Sequence, residues 1–399
     1  MRIGVPKETA GGEHRVALVP EVVAKLKAKG LDVVIESGAG DNALLSDEAF
    51  RAAGAEIGDA PTVWSSDIVV TIAPPDEQAI AGLGKGSILI GFLAPLTSPD
   101  TTRALAGAGA TAFAMEAIPR ISRAQSMDAL SSQSNVSGYE AALLGAEQMG
   151  RFYPMLMTAA GTIPPAKVLV LGAGVAGLQA LATAKRLGAR ATGYDVRPEV
   201  AEQVQSLGAM WLDLGLEASG EGGYARELTE DERAAQQQAL TDAIKGFDVV
   251  ITTALVPGRP APKLVTEEAV RGMKPGSVIV DLAGESGGNC ELTEPGETVV
   301  CHDVKIVAPL NLPSHMPEHA SQLFARNVLA LLELLVGEDG ALHLDFDDEI
   351  VAGSCIVREG EIVHPGAKSA VQAAGGTPGA TGTPGTTTPG TPSSQGAEQ

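Results

Sequence analysis

Residues 166–196 read AKVLVLGAGVAGLQALATAKRLGARATGYDV, and the order of events in this stretch decides the fold. VLVL (168–171) is an aliphatic run suited to a strand buried on both faces. LQALATAKRLG (178–188) has helical spacing and closes on a glycine, and RATGYDV (190–196) returns to strand character. Between strand and helix stand Gly172, Gly174 and Gly177 in G-x-G-x-x-G spacing, and Asp195 ends the next strand about 20 residues on. A bare glycine pattern is a weak signal in a chain this rich in Gly and Ala. The strand–turn–helix–strand–acid order makes it specific.

Each residue type has a physical task. Gly172 permits the tight turn, Gly174 lets a pyrophosphate approach the backbone, and Gly177 lets helix and strand close up. The turn Gly172, Ala173, Gly174, Val175, Ala176 and Gly177 then presents free N–H groups and the positive end of the helix dipole to phosphate. Asp195, followed by Val196 and Arg197, would accept hydrogen bonds from the adenosine ribose and repel a 2′-phosphate. The expected ligand is therefore NAD(H), not NADP(H).

Strand and helix signals alternate on both sides of this turn. RIGV (2–5), DVVIES (32–37), DIVVTI (67–72), SILIGFL (87–93) and TAFAM (111–115) read as strands. PEVVAKLKAKG (20–30), SDEAFRAAG (46–54) and TSPDTTRALAGAG (98–110) read as helices between them. A long helix is expected from about Gly138 through Met157, then the fingerprint unit, a helix over 198–208, and strands at 248–255, 276–283 and 305–311. ASQLFARNVLALLELL (320–335) is an amphipathic helix expected to cross back to the first unit. The fold class is α/β: two doubly wound parallel-sheet, Rossmann-like domains with a cleft between them. The expected limits are 1–130 plus 318–366 for the first domain and 131–317 for the NAD(H)-binding domain. A Pro/Gly/Thr-rich segment, 367–399, is expected to be a disordered tail.

Composition bounds the partners. The chain has 399 residues, enough for two cores, and a formal charge of −21, which argues against nucleic acid and anionic membrane surfaces. A basic protein partner is compatible with that charge. Cys290, Cys301 and Cys355 are far apart and odd in number, which suits a reducing cytoplasm and forms no metal pattern. No signal-peptide core and no long apolar run occur, so a soluble chain without a membrane span is expected.

Other motifs weigh less. HMPEH (315–319) matches H-x-x-E-H, but Pro317 interrupts it and no third ligand is evident, so no metal is expected. GGEHR (11–15) and SGAGD (37–41) read as ordinary turns. GGYAREL (222–228) puts Tyr224 after a glycine pair, fit for a lid or a plain loop. PRISRAQSMDALSSQSN (119–135) concentrates Arg, Gln, Asp and Ser in one short loop between apolar segments.

Taken together, RIGVPKE, RISRAQSMDALSSQSN, MTAAGTIPPAKVLVLGAGVAGLQA, ATGYDVRP, GGYA, ITTALVPGRPAP and KPGSVIVDLA resemble the NAD(H)-binding component of the proton-translocating nicotinamide nucleotide transhydrogenases. That component is domain I, the leading portion of the alpha subunit in split-chain bacterial forms. The family shares its fold with alanine dehydrogenase. The resemblance implies that Arg120 and Asp128 hold the nicotinamide carboxamide and ring, Gln125 reaches the NADP(H) ribose, and Ser131 is a further ring contact. It implies Tyr224 on a closing loop, Asp195 at the adenosine ribose, and Ala254 and Leu255 among the cofactor contacts.

Alanine dehydrogenases carry an acid–base lysine and histidine where this chain has Ala73, in TIAPP (71–75), and Phe92, in GFLAP (91–95). Neither residue transfers protons, whereas hydride passing between two nicotinamides needs orientation and no general base. The resemblance further implies NADP(H) on a partner subunit, a membrane subunit, a homodimer, and a cytoplasmic location on the inner face of the membrane. The rival expectation is an alanine-dehydrogenase-like enzyme. The non-enzyme rival is an NAD-sensing binding module.

Overall fold

The computed structural model describes residues 1–214, 230–255, 258–337 and 340–375. Six strands, β1 (Arg2–Val5), β2 (Asp32–Glu36), β3 (Glu56–Gly58), β4 (Ile68–Val70), β5 (Ile88–Gly91) and β6 (Thr111–Ala114), run parallel in the order β3-β2-β1-β4-β5-β6. Helices α1 (Pro20–Ala28), α2 (Asp47–Ala52), α3 (Ala60–Trp64), α4 (Glu77–Ala81) and α5 (Pro99–Gly107) connect them in turn. Local chemistry starts these helices: Ser46, Asp59 and Asp76 each accept the N–H three residues on.

The second sheet repeats the plan. β9 (Lys167–Leu171), β10 (Arg190–Tyr194), β11 (Met210–Trp211), β12 (Val249–Thr252), β13 (Val278–Asp281) and β15 (Val304–Val307) are parallel in the order β11-β10-β9-β12-β13-β15, with β14 (Thr298–Cys301) antiparallel at the edge. Its helices are α7 (Val175–Arg186), α8 (Ala201–Ser206), α9 (Glu230–Ile244) and α10 (Glu267–Gly272). In both sheets the strand order reverses beside the first strand, and ligands bind at the carboxyl ends of strands flanking such a reversal. The doubly wound α/β fold expected from the sequence is the fold observed.

Helix α6 (Ala129–Gln148) joins the two units, and a hairpin, β7 (Leu156–Thr158) with β8 (Gly161–Ile163), follows it. This corrects the expected helix over 138–157. The helix starts earlier because Asp128 caps it, and ends before β7, where the chain turns into the hairpin. The SSQSN half of the expected polar loop is therefore helical. Residues 122–127 form a 3₁₀ turn ahead of it.

After β15 the chain returns. Helix α11 (Pro317–Leu335) buries Phe324, Val328, Leu331 and Leu332 in the core of the first sheet, beside Ile3, Val5, Ile68 and Ile90. Pro317 stands at the head of this helix, where its missing N–H costs nothing. Helix α12 (Glu349–Ser354) leads to β16 (Cys355–Arg358), which pairs antiparallel with β6, and to β17 (Glu361–Ile362). The expected tail begins too early. Residues 365–375 form α13 (Pro365–Gly375), an alanine-rich helix against α5, with Ala367 buried and the Val371 carbonyl accepting from Arg103. Residues 376–399 lie outside the described residues.

Candidate functional site

The carboxyl ends of β9, β10, β12 and β13 carry the fingerprint turn and the loops that face it. Gly172 follows β9 at a φ of 101°, and a Cβ added there would stand 2.5 Å from the Thr253 hydroxyl. At Gly177 an added Cβ would stand 1.8 Å from the Gly172 carbonyl, so this glycine lets α7 close on its own turn. Gly174 differs: no atom of the described residues lies within 4 Å of the missing Cβ, and among them the bare backbone is uncovered. Gly174 is also the N-cap of α7 and supplies no side-chain acceptor, leaving first-turn N–H groups open to an anion. The geometry fits a dinucleotide phosphate.

Asp195 follows β10 and is only 7% exposed at its side chain. Its Oδ2 accepts the Ala173 N–H at 2.8 Å, so it braces the fingerprint turn from behind. Arg197 closes on the same carboxylate through its backbone N–H (2.9 Å), Nε (3.0 Å) and Nη2 (3.0 Å). Burial pushes the Asp195 carboxyl up, but the hydrogen bonds from Arg197 and Ala173 outweigh it and hold it below the usual carboxylate range. Val175, Val196 and Leu255 are exposed apolar side chains on this side of the molecule.

Ala254 is fixed by a residue the sequence reading missed. Fully buried Asn289 accepts the Ala254 N–H at 3.0 Å and donates to the Ala254 carbonyl at 2.8 Å, with a further bond to the Pro262 carbonyl. The loop bearing Asn289 is gathered in turn by Asp281, at the end of β13. This carboxylate accepts from Thr252, Ala283, Cys290 and Thr293. An acidic residue closing an aliphatic strand, as Asp195 does, was the available signal. Tyr224 lies outside the described residues.

The polar loop is tied to the fingerprint by α6. On that helix a Cβ at Gly138 would stand 2.0 Å from the Ala176 carbonyl oxygen, so α6 crosses directly on the first turn of α7. Asp128 lies ten residues before Gly138, about 15 Å along the helix axis. Its carboxylate accepts the Ser131 N–H (2.8 Å) and hydroxyl (2.6 Å), which brings Asp128 and Ser131 together as a cap. Arg120 and Gln125 are exposed, and their side chains hydrogen-bond to no other described residue.

Across the cleft, the loops after β4 and β5 are clamped by carboxylates. Glu8 accepts from Ile72 (2.6 Å) and Ala73 (3.2 Å), and Glu116 from Leu93 (2.9 Å) and Ala94 (2.5 Å). Burial pushes the Glu8 carboxyl up to about 7 and raises that of Glu116 as well. Phe92 packs its ring on Phe324 of α11, with centroids 5.2 Å apart.

GGEHR proves to be more than an ordinary turn. Arg15 is buried with Glu13 in a bidentate pair, at 2.7 and 2.6 Å, and also donates to Gln133 of α6 and to Asn311 beyond β15. Ser314 and Asn311 donate to Glu13. This network joins the two units. It leaves Arg15 committed within the protein instead of open to a substrate carboxylate.

The description "Alanine dehydrogenase/PNT, N-terminal domain" matches residues 4–137, and "Alanine dehydrogenase/PNT, C-terminal domain" matches residues 141–365. The chain belongs to the alanine dehydrogenase/PNT family. Within that family it is 50% identical to the first portion of NAD(P) transhydrogenase subunit alpha from Rhodospirillum rubrum, over 92% of this chain and 98% of the relative. A crystal structure of transhydrogenase from Sinorhizobium meliloti superposes with a TM-score of 0.83 at 44% identity, covering 91% of this chain and 100% of that one. Alanine dehydrogenase of Mycolicibacterium smegmatis is 35% identical, over 79% of this chain and 82% of the relative. The resemblance to transhydrogenase alpha subunits read from the sequence is borne out.

Proposed function

We propose that this chain is the NAD(H)-binding catalytic subunit of a proton-translocating transhydrogenase, exchanging hydride with NADP(H) held by a partner subunit. The observation that carries the reading is a complete dinucleotide turn in a chain that has Ala73 and the ring-packed Phe92 where alanine dehydrogenases carry their acid–base residues. In the exchange, hydride would pass from C4 of one dihydronicotinamide to C4 of the other nicotinamide, one nucleotide being oxidised as the other is reduced, with no proton transfer required at the reacting carbons. The chain's own work is then to bind and orient. The fingerprint N–H groups take the pyrophosphate, and Asp195 takes the adenosine ribose. Arg120 and Asp128 hold the nicotinamide carboxamide and ring, and Ser131 is a further ring contact. Gln125 reaches towards the partner's nucleotide.

The two doubly wound units, 1–130 with 318–366 and 131–317, are the halves that flank the cleft. No helix among the described residues is long and apolar enough to cross a membrane, so in this reading a membrane subunit moves the protons and this chain docks on its cytoplasmic face. A homodimer is supported by the β7–β8 hairpin. This two-stranded ribbon is marginal on its own in water, and Phe152, Met155, Met157 and Ile163 on and beside it are exposed.

The test is to mix the chain with an NADP(H)-binding component from a relative and follow reduction of an NAD analogue by NADPH. Turnover supports the proposal; nucleotide binding without transfer refutes it in favour of a sensing module. Alanine-dependent reduction of NAD by the chain alone would establish the alanine dehydrogenase reading instead.

A further inference from the structure

The 3₁₀ turn Ser122–Met127 carries Gln125, and short 3₁₀ pieces have poor internal hydrogen bonding, so such a turn takes its shape from its surroundings. Ala124 and Met127 are buried in the core of the first sheet, while Gln125 between them is exposed. Two polar anchors hold the residues that flank it, and both come from chain more than 200 positions downstream.

The first anchor is Asn327 of α11, whose Nδ2 donates to the Ser126 carbonyl at 2.8 Å. Asn327 is 6% exposed on a face it shares with Phe324, Val328 and Leu331, and its Oδ1 is buried without a partner among the described residues. The unpaired Oδ1 offsets part of what the Nδ2 bond contributes to stability. What the amide does beyond stability is fix the carbonyl of Ser126, the residue next to Gln125. The second anchor is Asp348, which receives both Nη1 (2.6 Å) and Nη2 (2.8 Å) of Arg123. That fork-on-fork geometry fixes orientation as well as distance. Asp348 cannot swing freely, since it also caps α12 by accepting from Ile350 at 2.8 Å.

We infer that Asn327 and the Arg123–Asp348 pair are positioning residues, which set the place of Gln125 relative to the partner's nucleotide without touching either nucleotide. The inference rests on the proposed role of Gln125 as the arm that reaches across. Hydride transfer depends steeply on such placement, because a misplacement of ~1 Å can cost ~100-fold in rate.

The experiment measures NADPH-driven reduction of an NAD analogue, with a relative's NADP(H)-binding component, for Asn327→Leu, Arg123→Met, Gln125→Asn and the two doubles. NADH affinity and melting temperature are read alongside. The expectation is transfer slowed by roughly tenfold or more in each single, NADH affinity within about twofold, and a melting temperature for Asn327→Leu within a few degrees of the parent's. Each double should be no slower than Gln125→Asn alone, because residues acting through one another are not additive. Wild-type transfer in Asn327→Leu and Arg123→Met, or multiplicative losses in the doubles, overturns the inference and leaves Gln125's role standing. Wild-type transfer in Gln125→Asn itself refutes that role and the inference with it. Arg123 lies on the surface, so its variant reads the outcome even where Asn327→Leu fails to fold.

Discussion

Substituting Gly138 by alanine adds one methyl group where α6 crosses α7, and the consequence can be worked from the geometry of that crossing. The new Cβ would meet the Ala176 carbonyl oxygen at 2.0 Å, its carbon at 2.8 Å and Cα at 2.9 Å. All three are backbone atoms, so no side chain can rotate away. Ordinary contact begins near 3.4 Å, which requires the helices to part by about 1.4 Å. Overpacking of this kind costs about 1–3 kcal/mol, while Ala in place of Gly returns about 1 kcal/mol of helix propensity. The net expectation is a loss of up to about 2 kcal/mol, read as a lower urea midpoint.

Binding should suffer more than stability. A displacement of that size at Ala176 breaks the hydrogen bond its N–H would make to phosphate, and a charge-assisted bond is worth about 1.5–3 kcal/mol. NADH should therefore bind roughly 10- to 100-fold more weakly in a fluorescence titration. Gly107→Ala serves as the control, because nothing lies within 4 Å of its missing Cβ. A Gly138→Ala protein with the parent's urea midpoint and NADH affinity would refute the reasoning, since α6 would then not seat on Ala176.

Three further outcomes are expected. Gln125→Asn should slow hydride transfer far more than it weakens NADH binding, and equal losses in both would remove its proposed role. Asn289→Ala should lower stability by roughly 2–4 kcal/mol in urea melts, because three hydrogen bonds to the Ala254 and Pro262 backbone are lost inside the protein. Glu8 is a carboxyl raised in the folded state from 4.5 to about 7, so the folded chain holds an extra proton between those values. Stability present below pH 4.5 should then fall by up to about 3 kcal/mol as pH rises through 7, with the slope reduced in Glu8→Gln. A pH-independent urea midpoint across that window would contradict the burial of Glu8.

The features of this molecule legible in sequence are those written in local periodicity. Strand–helix alternation announces two wound sheets, and the glycine turn with Asp195 is complete within about 25 consecutive residues. The start of α6 was not legible, because SSQSN has neither apolar spacing nor high helix propensity. It is helical because Asp128 caps it and because buried Gln133 bonds Arg15 and the Ala320 carbonyl, partners far away in sequence. The partners of Arg15 were not legible for the same reason: in the chain GGEHR looks like a turn, and only folding brings Gln133 and Asn311 to it. β16 and β17 are short strands, and β16 finds its partner, β6, more than 200 residues earlier, with β17 added outside it. The start of the C-terminal tail was set by composition, but the alanines of 367–374 suffice for a helix against α5.

The return of the chain through α11 has a consequence for the order in which the protein is made. Phe324, Val328, Leu331 and Leu332 fill the core of the first sheet, and β16 extends its edge, yet the ribosome adds all of them after the whole second sheet. Domains usually fold as they emerge, amino-terminal first. Here the topology predicts the reverse order. The strands synthesised first must wait, with some of their apolar surface uncovered, while the fingerprint-bearing sheet already has every strand it needs. The nucleotide turn is complete before the half of the protein that precedes it in the chain.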